Sequence, residues 1–339
     1  MKTRDKMYLS ILVILIGLFI GSPLSAEVKK SQCVTLRDGS IIKGQILEMN
    51  KNTITIKTER GETIIRDFDD IQSVEDFEKA EAPGQDRAIK KDHDVIDMLQ
   101  KHSWELKPET SFIKYEEPDT MRESGYMAGI GGSYTYHNDV MARAEARYSY
   151  GRVDYKNSGT INNIPDYMVE IRGLIGYDFE ITRESVITLY AGFGYRYLND
   201  DTSGEISSTG AAGYERESNY YYSPIGIETF SKIGDNWAYG MNFEGDIFWE
   251  GKQKSHLSDA DPNYNDVDNK QRDGYGFRCS LKFQRTGEHM SFVIEPFYRY
   301  WSIKESDWET LTYGGTPIGY AYEPKNNSRE VGIIFTLKF

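Results

Sequence analysis

The feature that most constrains this chain is a side-chain alternation of period two, sustained over long segments from about residue 109 onward. Between residues 237 and 249, Trp237, Tyr239, Met241, Phe243, Gly245, Ile247 and Trp249 share one face. Ala238, Gly240, Asn242, Glu244, Asp246 and Phe248 share the other. Tyr167, Val169, Ile171, Gly173, Ile175, Tyr177 and Phe179 oppose Glu170, Arg172 and Asp178 in the same way. Ala142, Ala144, Ala146 and Tyr148 oppose Arg143, Glu145 and Arg147, and Tyr275, Phe277, Cys279, Leu281 and Phe283 oppose Arg278, Ser280 and Lys282. Successive side chains of a strand point to opposite faces, so each segment is a strand with one apolar and one polar wall. These strands are long for a soluble sheet and suit a lipid-facing band roughly 25 Å tall. Aromatics stand at both ends of the apolar wall, where membrane interfaces favour them.

Composition agrees. The chain carries 25 Tyr, 15 Phe and 5 Trp beside 31 Gly, yet its mean hydropathy is −0.60. A polytopic helical membrane protein would need repeated apolar runs of about 20 residues. A barrel that buries alternate residues in lipid keeps a polar average. The formal charge of −13 makes a nucleic acid an unfavourable partner. Two cysteines exclude a disulfide framework, and five scattered histidines build no Cys/His zinc site, so neither metal nor cofactor is expected. Cys279 is expected to face lipid and Cys33 to lie in a separate module, both as free thiols.

A soluble sandwich also alternates, but its connections need not. Here they do. Short ones fall at 137–139, 180–184, 232–236 and 285–288, and long ones at 156–165, 199–217, 251–271 and 304–328. Short turns on one side and long loops on the other are the layout of outer-membrane barrels. The chain ends in an alternating strand whose outward set is Val331, Ile333, Phe335, Leu337 and Phe339. This resembles the carboxy-terminal assembly signal of bacterial outer-membrane β-barrels, the porin-like proteins of Gram-negative envelopes. The resemblance implies insertion into outer-membrane lipid by the barrel-assembly machinery, acting through that strand. Nine strands are read at 126–136, 140–155, 166–179, 185–198, 218–231, 237–250, 272–284, 290–303 and 329–339. Barrels of this kind have even strand numbers, so a tenth is placed at 110–117. Ten is the expected count, with eight and twelve open.

Ahead of the barrel, residues 1–26 have the layout of a secretory signal peptide. Lys2, Arg4 and Lys6 precede an apolar run over 7–20, and a small-residue stretch with Pro23 ends at Ala26. Residues 27–76 read as short strands separated by turns at Asp38-Gly39, at 50–52 and at Arg60-Gly61. So few residues bury only a thin core, which a bent five-strand barrel uses economically. The run VTLRDGSIIKGQI…TITIKT…DDIQSVE resembles Sm-like or SH3-like small barrels. That resemblance implies a periplasmic folding or tethering module, or one that binds a peptide or envelope polymer as its periplasmic partner. Residues 77–108 read as a charged linker holding a short helix around Val95, Ile96, Met98 and Leu99. The barrel is assigned to 109–339. The fold class is therefore all-β, an antiparallel transmembrane barrel behind a small β-domain.

The inward charges expected are Arg143, Glu145, Arg147, Glu170, Arg172, Asp178, Arg196, Glu228, Glu244, Asp246, Arg278, Lys282, Glu295, Arg299, Glu330 and Lys338. Ten strands enclose a space that side chains nearly fill, whereas open channels belong to barrels of about sixteen. Unlike charges in such a space pair, because an isolated one costs several kcal/mol. A salt-bridged plug is the expectation, against a narrow polar pore. No G-x-S-x-G elbow is present and no catalytic residue is assigned. Ten-strand barrels include the omptin proteases, whose resemblance here rests on strand count alone and points to His256, Asp259 and Asp261 as an acidic rim site. Asp259-x-Asp261-x-Asn263 opens like a calcium loop, but Tyr264 stands where glycine is needed. Tyrosine-rich stretches at 214–222 and 308–322 suit interface anchoring, or contact with sugars or a host protein. Two function classes stay open: a non-enzymatic envelope barrel with a structural, adhesive or minor solute-passage role, and an outer-membrane hydrolase.

Overall fold

The computed structural model describes residues 32–38, 40–49, 53–58, 62–76 and 99–339. The signal segment and all of the expected helix except Leu99 lie outside them. The chain divides into two compact units, Met1–Ile89 and Lys90–Phe339.

In the first unit, β1 (Gln32–Leu36), β2 (Ile41–Met49), β3 (Thr53–Thr58), β4 (Thr63–Asp67) and β5 (Ile71–Asp76) form one antiparallel sheet. Its spatial order is β4-β3-β2-β1-β5, and a single 3-10 turn, Phe68–Asp70, joins β4 to β5. Val34, Leu36, Ile54 and Ile56 are its buried core, with Ile42, Ile46 and Ile71 packed against them. The first turn is tied by Asp38, whose carboxylate accepts from the Ser40 amide at 2.8 Å and the Ser40 hydroxyl at 2.6 Å. An Asp bonding two residues ahead is the ordinary Asx device for reversing a chain.

The second unit is built from β6 (His102–Glu117), β7 (Met121–Asn138), β8 (Val140–Asn157), β9 (Gly159–Thr182), β10 (Ser185–Asp201), β11 (Glu215–Ile233), β12 (Trp237–Ser255), β13 (Val267–Gln271), β14 (Gly274–Thr286), β15 (Ser291–Ile303), β16 (Glu309–Tyr313), β17 (Thr316–Ala321) and β18 (Asn326–Lys338). Ten of these close into an antiparallel cylinder, in the order β11-β10-β9-β8-β7-β6-β18-β15-β14-β12 and back to β11. The strand expected at 110–117 exists and completes the even number. It pairs with β18, Val331 opposite Phe112, and below that Trp104 and Phe339 exchange backbone hydrogen bonds of 3.1 and 2.9 Å. β13 folds back on the upper end of β12, while β16 and β17 form a separate hairpin.

Several boundaries differ from the sequence reading, two of them for an identifiable local reason. The barrel starts at His102, inside the stretch read as linker. Pro108 hides this start because it has no amide to donate. It pairs with Ile130 on one side, but the β18 ladder is interrupted between Glu109 and Leu106 on the other. The expected loop at 156–165 is also strand, since β8 and β9 continue to a tight turn with Asn157 opposite Gly159. Asn162 and Asn163 read as loop residues. Asn163 adopts a left-handed φ of 66° and its amide is held by Asp154 Oδ1 at 2.9 Å, which absorbs an irregularity within a paired hairpin.

The two walls are chemically distinct. Ile171, Ile175, Leu189, Phe193, Phe243, Ile247, Phe277, Leu281 and Phe335 are exposed on the outer wall, whereas Glu170, Glu244, Asp246 and Arg278 are buried inside. Val331, Ile333, Phe335 and Phe339 point outward, with Leu337 half-buried on the same side. Cys279 is half-buried on the outer wall and free, and the side chain of Cys33 lies outside the described residues. Two interior tyrosines rest on glycines directly opposite them: Tyr222 on Gly194 and Tyr190 on Gly226. A Cβ at Gly194 would fall 2.3 Å from the Tyr222 ring, and one at Gly226 2.4 Å from the Tyr190 ring.

Candidate functional site

The lumen is stratified. At the short-turn end, Leu99, Val186, Phe230 and Ala238 form an apolar floor. Lys338 Nζ donates to the Leu99 carbonyl at 3.0 Å, and Asp178 lies 2.7 Å from the His137 ring while accepting from Thr188 at 2.6 Å. Val186, Phe230 and Ala238 come from the ends of three adjacent strands, β10, β11 and β12, with Leu99 from the segment before β6.

Above the floor lies an ionic layer. Arg143 and Lys282 each contact Glu228 at 2.9 Å. Arg172 bridges Glu145 and Glu244, both at 2.5 Å. Arg278 donates to Asp246 at 2.9 Å, lies 3.1 Å from Glu244, and binds both oxygens of Glu170 at 2.5 and 2.9 Å. Arg147 contacts Glu109 at 2.6 Å, Glu330 at 2.5 Å and Glu170 at 3.5 Å. Arg299 completes the same group, 3.3 Å from Glu330 and 3.4 Å from Glu109. Glu295 accepts from Ser280 at 2.5 Å. Each guanidinium thus meets two or more carboxylates, as buried charge requires. The space left among them is a cavity of about 100 Å³, room for a few water molecules by the volume water occupies.

Over this layer sits an apolar and aromatic one. Ile113, Met127, Val153, Ile161, Ile164 and Met168 form one cluster, Tyr220, Tyr222, Phe248, Trp301 and Ile303 a second, and Leu198 touches both. Tyr222 ties it to the ions below: its hydroxyl donates to Glu170 at 2.7 Å and accepts from Arg278 at 2.9 Å. Arg196 donates to the Met168 sulfur at 3.2 Å and lies over the Trp301 ring at 5.5 Å. At the long-loop end, Arg216 gathers Glu117, Glu123 and Asp200 at 2.9, 3.2 and 3.1 Å. Tyr115 donates to Glu117 and Glu323 there, beside a cavity of about 270 Å³ under the 202–214 loop.

Sequence reading did not single out Glu105, Lys107, Glu109, Glu117, Glu123, Asp200, Arg216 or Glu323. Glu105, Lys107 and Glu109 lie on the part of β6 masked by Pro108. Most of the rest sit where strands run beyond the apolar band and alternation loses its contrast.

The rim residues are not assembled as a protease-like group. His256 Nε2 is 3.0 Å from Glu217 and its Nδ1 is 3.3 Å from Asp266. Asp259 instead accepts from the Glu215 amide at 3.1 Å, and Asp261 from Asn263 and the Tyr313 hydroxyl. Partial burial pushes the Asp266 carboxyl up, but the Ser258 hydroxyl and amide and the nearby His256 hold it below its ordinary 3.8. In the 308–322 stretch, Trp308 packs against Tyr322 in a tilted pair with ring centroids 4.3 Å apart, and Tyr320 is exposed.

An even-stranded closed cylinder with an apolar belt outside and charges within defines the class: this is an outer-membrane β-barrel fold. No protein-family model matches the sequence, and no curated protein matches it. Among solved structures, the Pseudomonas putida toluene transporter TodX is similar over 70% of this chain and 89% of its own, at 8% identity and a TM-score of 0.30. The Ralstonia pickettii toluene transporter TbuX gives 70%, 89%, 7% and 0.30. A Pseudomonas aeruginosa FadL homologue gives 70%, 90%, 9% and 0.23. Likenesses this slight say nothing about what the lumen of this chain carries.

Proposed function

We propose that this is a non-enzymatic outer-membrane protein whose lumen is closed, and which acts through its two ends. The short-turn end faces the periplasm and the long-loop end the exterior, the usual asymmetry of such barrels. The chain enters β6 from the short-turn side, so the β-domain at 32–76 belongs in the periplasm. Its strand order and single 3-10 turn support an Sm-like or SH3-like reading, with a tethering or polymer-binding role in the envelope. The outer loops, with Trp308, Tyr320 and Tyr322, supply the external contact surface. β18, apolar on its outer side, is the strand through which the assembly machinery would insert the barrel.

The observation that carries this reading is the ionic layer itself. Its pairs span the lumen between strands far apart round the wall, with a cavity of about 100 Å³ among them. Purified full-length protein in planar bilayers is expected to show no conductance steps above baseline. Reproducible steps from the unaltered chain would overturn the closed lumen and favour solute passage.

A further inference from the structure

We propose that Glu215, Glu217 and His256 form a binding site for a divalent transition-metal ion, Zn²⁺ being the ion their donors suit, on the outer rim of the barrel. Glu215 and Glu217 are two apart on β11, so they share a face. The β11–β12 ladder ends with Arg216 opposite Ser255, and one step further the His256 amide donates to the Glu215 carbonyl at 2.9 Å. This sets the imidazole beside both carboxylates, with one ligand atom from each residue within 4.8 Å of the others.

The surroundings are those of a ligand set. A metal-binding histidine usually gives its second ring nitrogen to a carboxylate, which fixes the tautomer and aims the first at the ion. Asp266 Oδ2 is 3.3 Å from Nδ1, leaving Nε2 directed at the glutamates, and Asp266 is itself held by the Ser258 hydroxyl at 2.7 Å. Glu215 is steadied as well: its side chain accepts from Asn199 Nδ2 at 2.6 Å and its amide is held by Asp259. Hard cations such as Ca²⁺ prefer an all-oxygen shell, whereas one imidazole with two carboxylates suits Zn²⁺. Three protein ligands leave a position for water or an external group. All three side chains are half-buried, so an ion arriving from outside reaches them without the lumen opening. The bound ion would clasp the segment after β12 to β11.

The test uses untagged full-length protein folded in detergent, titrated with CoCl₂ as a visible-absorption probe and then with ZnCl₂. One equivalent of Co²⁺ is expected to give a saturable spectrum that Zn²⁺ displaces. H256A should weaken binding at least tenfold and E217Q likewise. D266N, which leaves all three ligands in place, should weaken it by roughly 10- to 100-fold, as loss of an outer-sphere partner does. Heat-modifiable migration checks that each variant is folded, and H256Q replaces H256A if that chain is not. Absence of a saturable, Zn²⁺-displaceable spectrum in the unaltered chain would overturn the site. So would an unchanged affinity in the folded His256 variant, which would put the ion on another histidine. Neither result bears on whether the lumen conducts.

Discussion

Arg278 on β14 and Glu170 on β9 are joined by a two-pronged ion pair, at 2.5 and 2.9 Å, although their strands stand four apart round the wall. Asp246 and Glu244 on β12 converge on the same guanidinium, so one side chain braces three parts of the cylinder. The lumen is therefore cross-tied rather than merely lined.

Removing that brace leaves three carboxylates without their shared cation. Arg278→Ala should cost about 3–5 kcal/mol of unfolding free energy, the usual penalty for orphaning a buried charge. Urea titration of the barrel in lipid vesicles measures it. A loss under about 1 kcal/mol would mean that the pairs are not buried in the way described.

The tyrosine seats give a steric prediction. Gly194→Ala places a methyl 2.3 Å from the Tyr222 ring, so the ring must leave its place between Glu170 and Arg278. A cost of about 1–3 kcal/mol is expected for such overpacking. Gly173→Ala is the control, since nothing lies within 4 Å of its Cβ position. Equal effects at both positions would argue against the seat.

Depth in the membrane can be read on β12. Phe243 lies midway between Trp237 and Trp249 on the outer wall, and an arginine there should destabilise by roughly 2–4 kcal/mol, falling to about 0–1 near the interface. Comparing Phe243→Arg with Trp249→Arg in vesicle refolding tests the position of the belt. A larger penalty at Trp249 would shift it.

The outer rim carries a pH effect. The Asp266 carboxyl titrates below its ordinary 3.8 when folded. A lowered value means that its contribution is present above pH 3.8 and is lost as pH falls through the folded value. Amide exchange at Ser258 should therefore stay slow down to about pH 4 and quicken below. Quickening already at pH 6 would mean that the Asp266 carboxylate does not hold this turn.

Much of the barrel was legible because alternation is a local signal: Phe243 and Glu244 announce two walls without any knowledge of neighbours. The strand count followed from the same signal, with one strand supplied by the even-number rule. The start of β6 was not legible, since Pro108 argues against a strand unless its missing donor falls on one ladder only. The β8–β9 extension was lost in polar residues, Asn162 and Asn163, whose pairing depends on a left-handed residue. Periodicity puts Arg143 and Arg172 on the polar wall, but their partners depend on cylinder size and stagger. The rim cluster was invisible for a related reason. Glu215 and His256 are forty-odd residues apart, and only the β11–β12 ladder brings them together.

The wall closes where β18 meets β6, the last strand of the cylinder against its first. Neither of these edges has its partner until the other is in place. A wall lacking either strand would retain two raw edges in place of none. The seam thus makes both of these strands the condition for a finished wall.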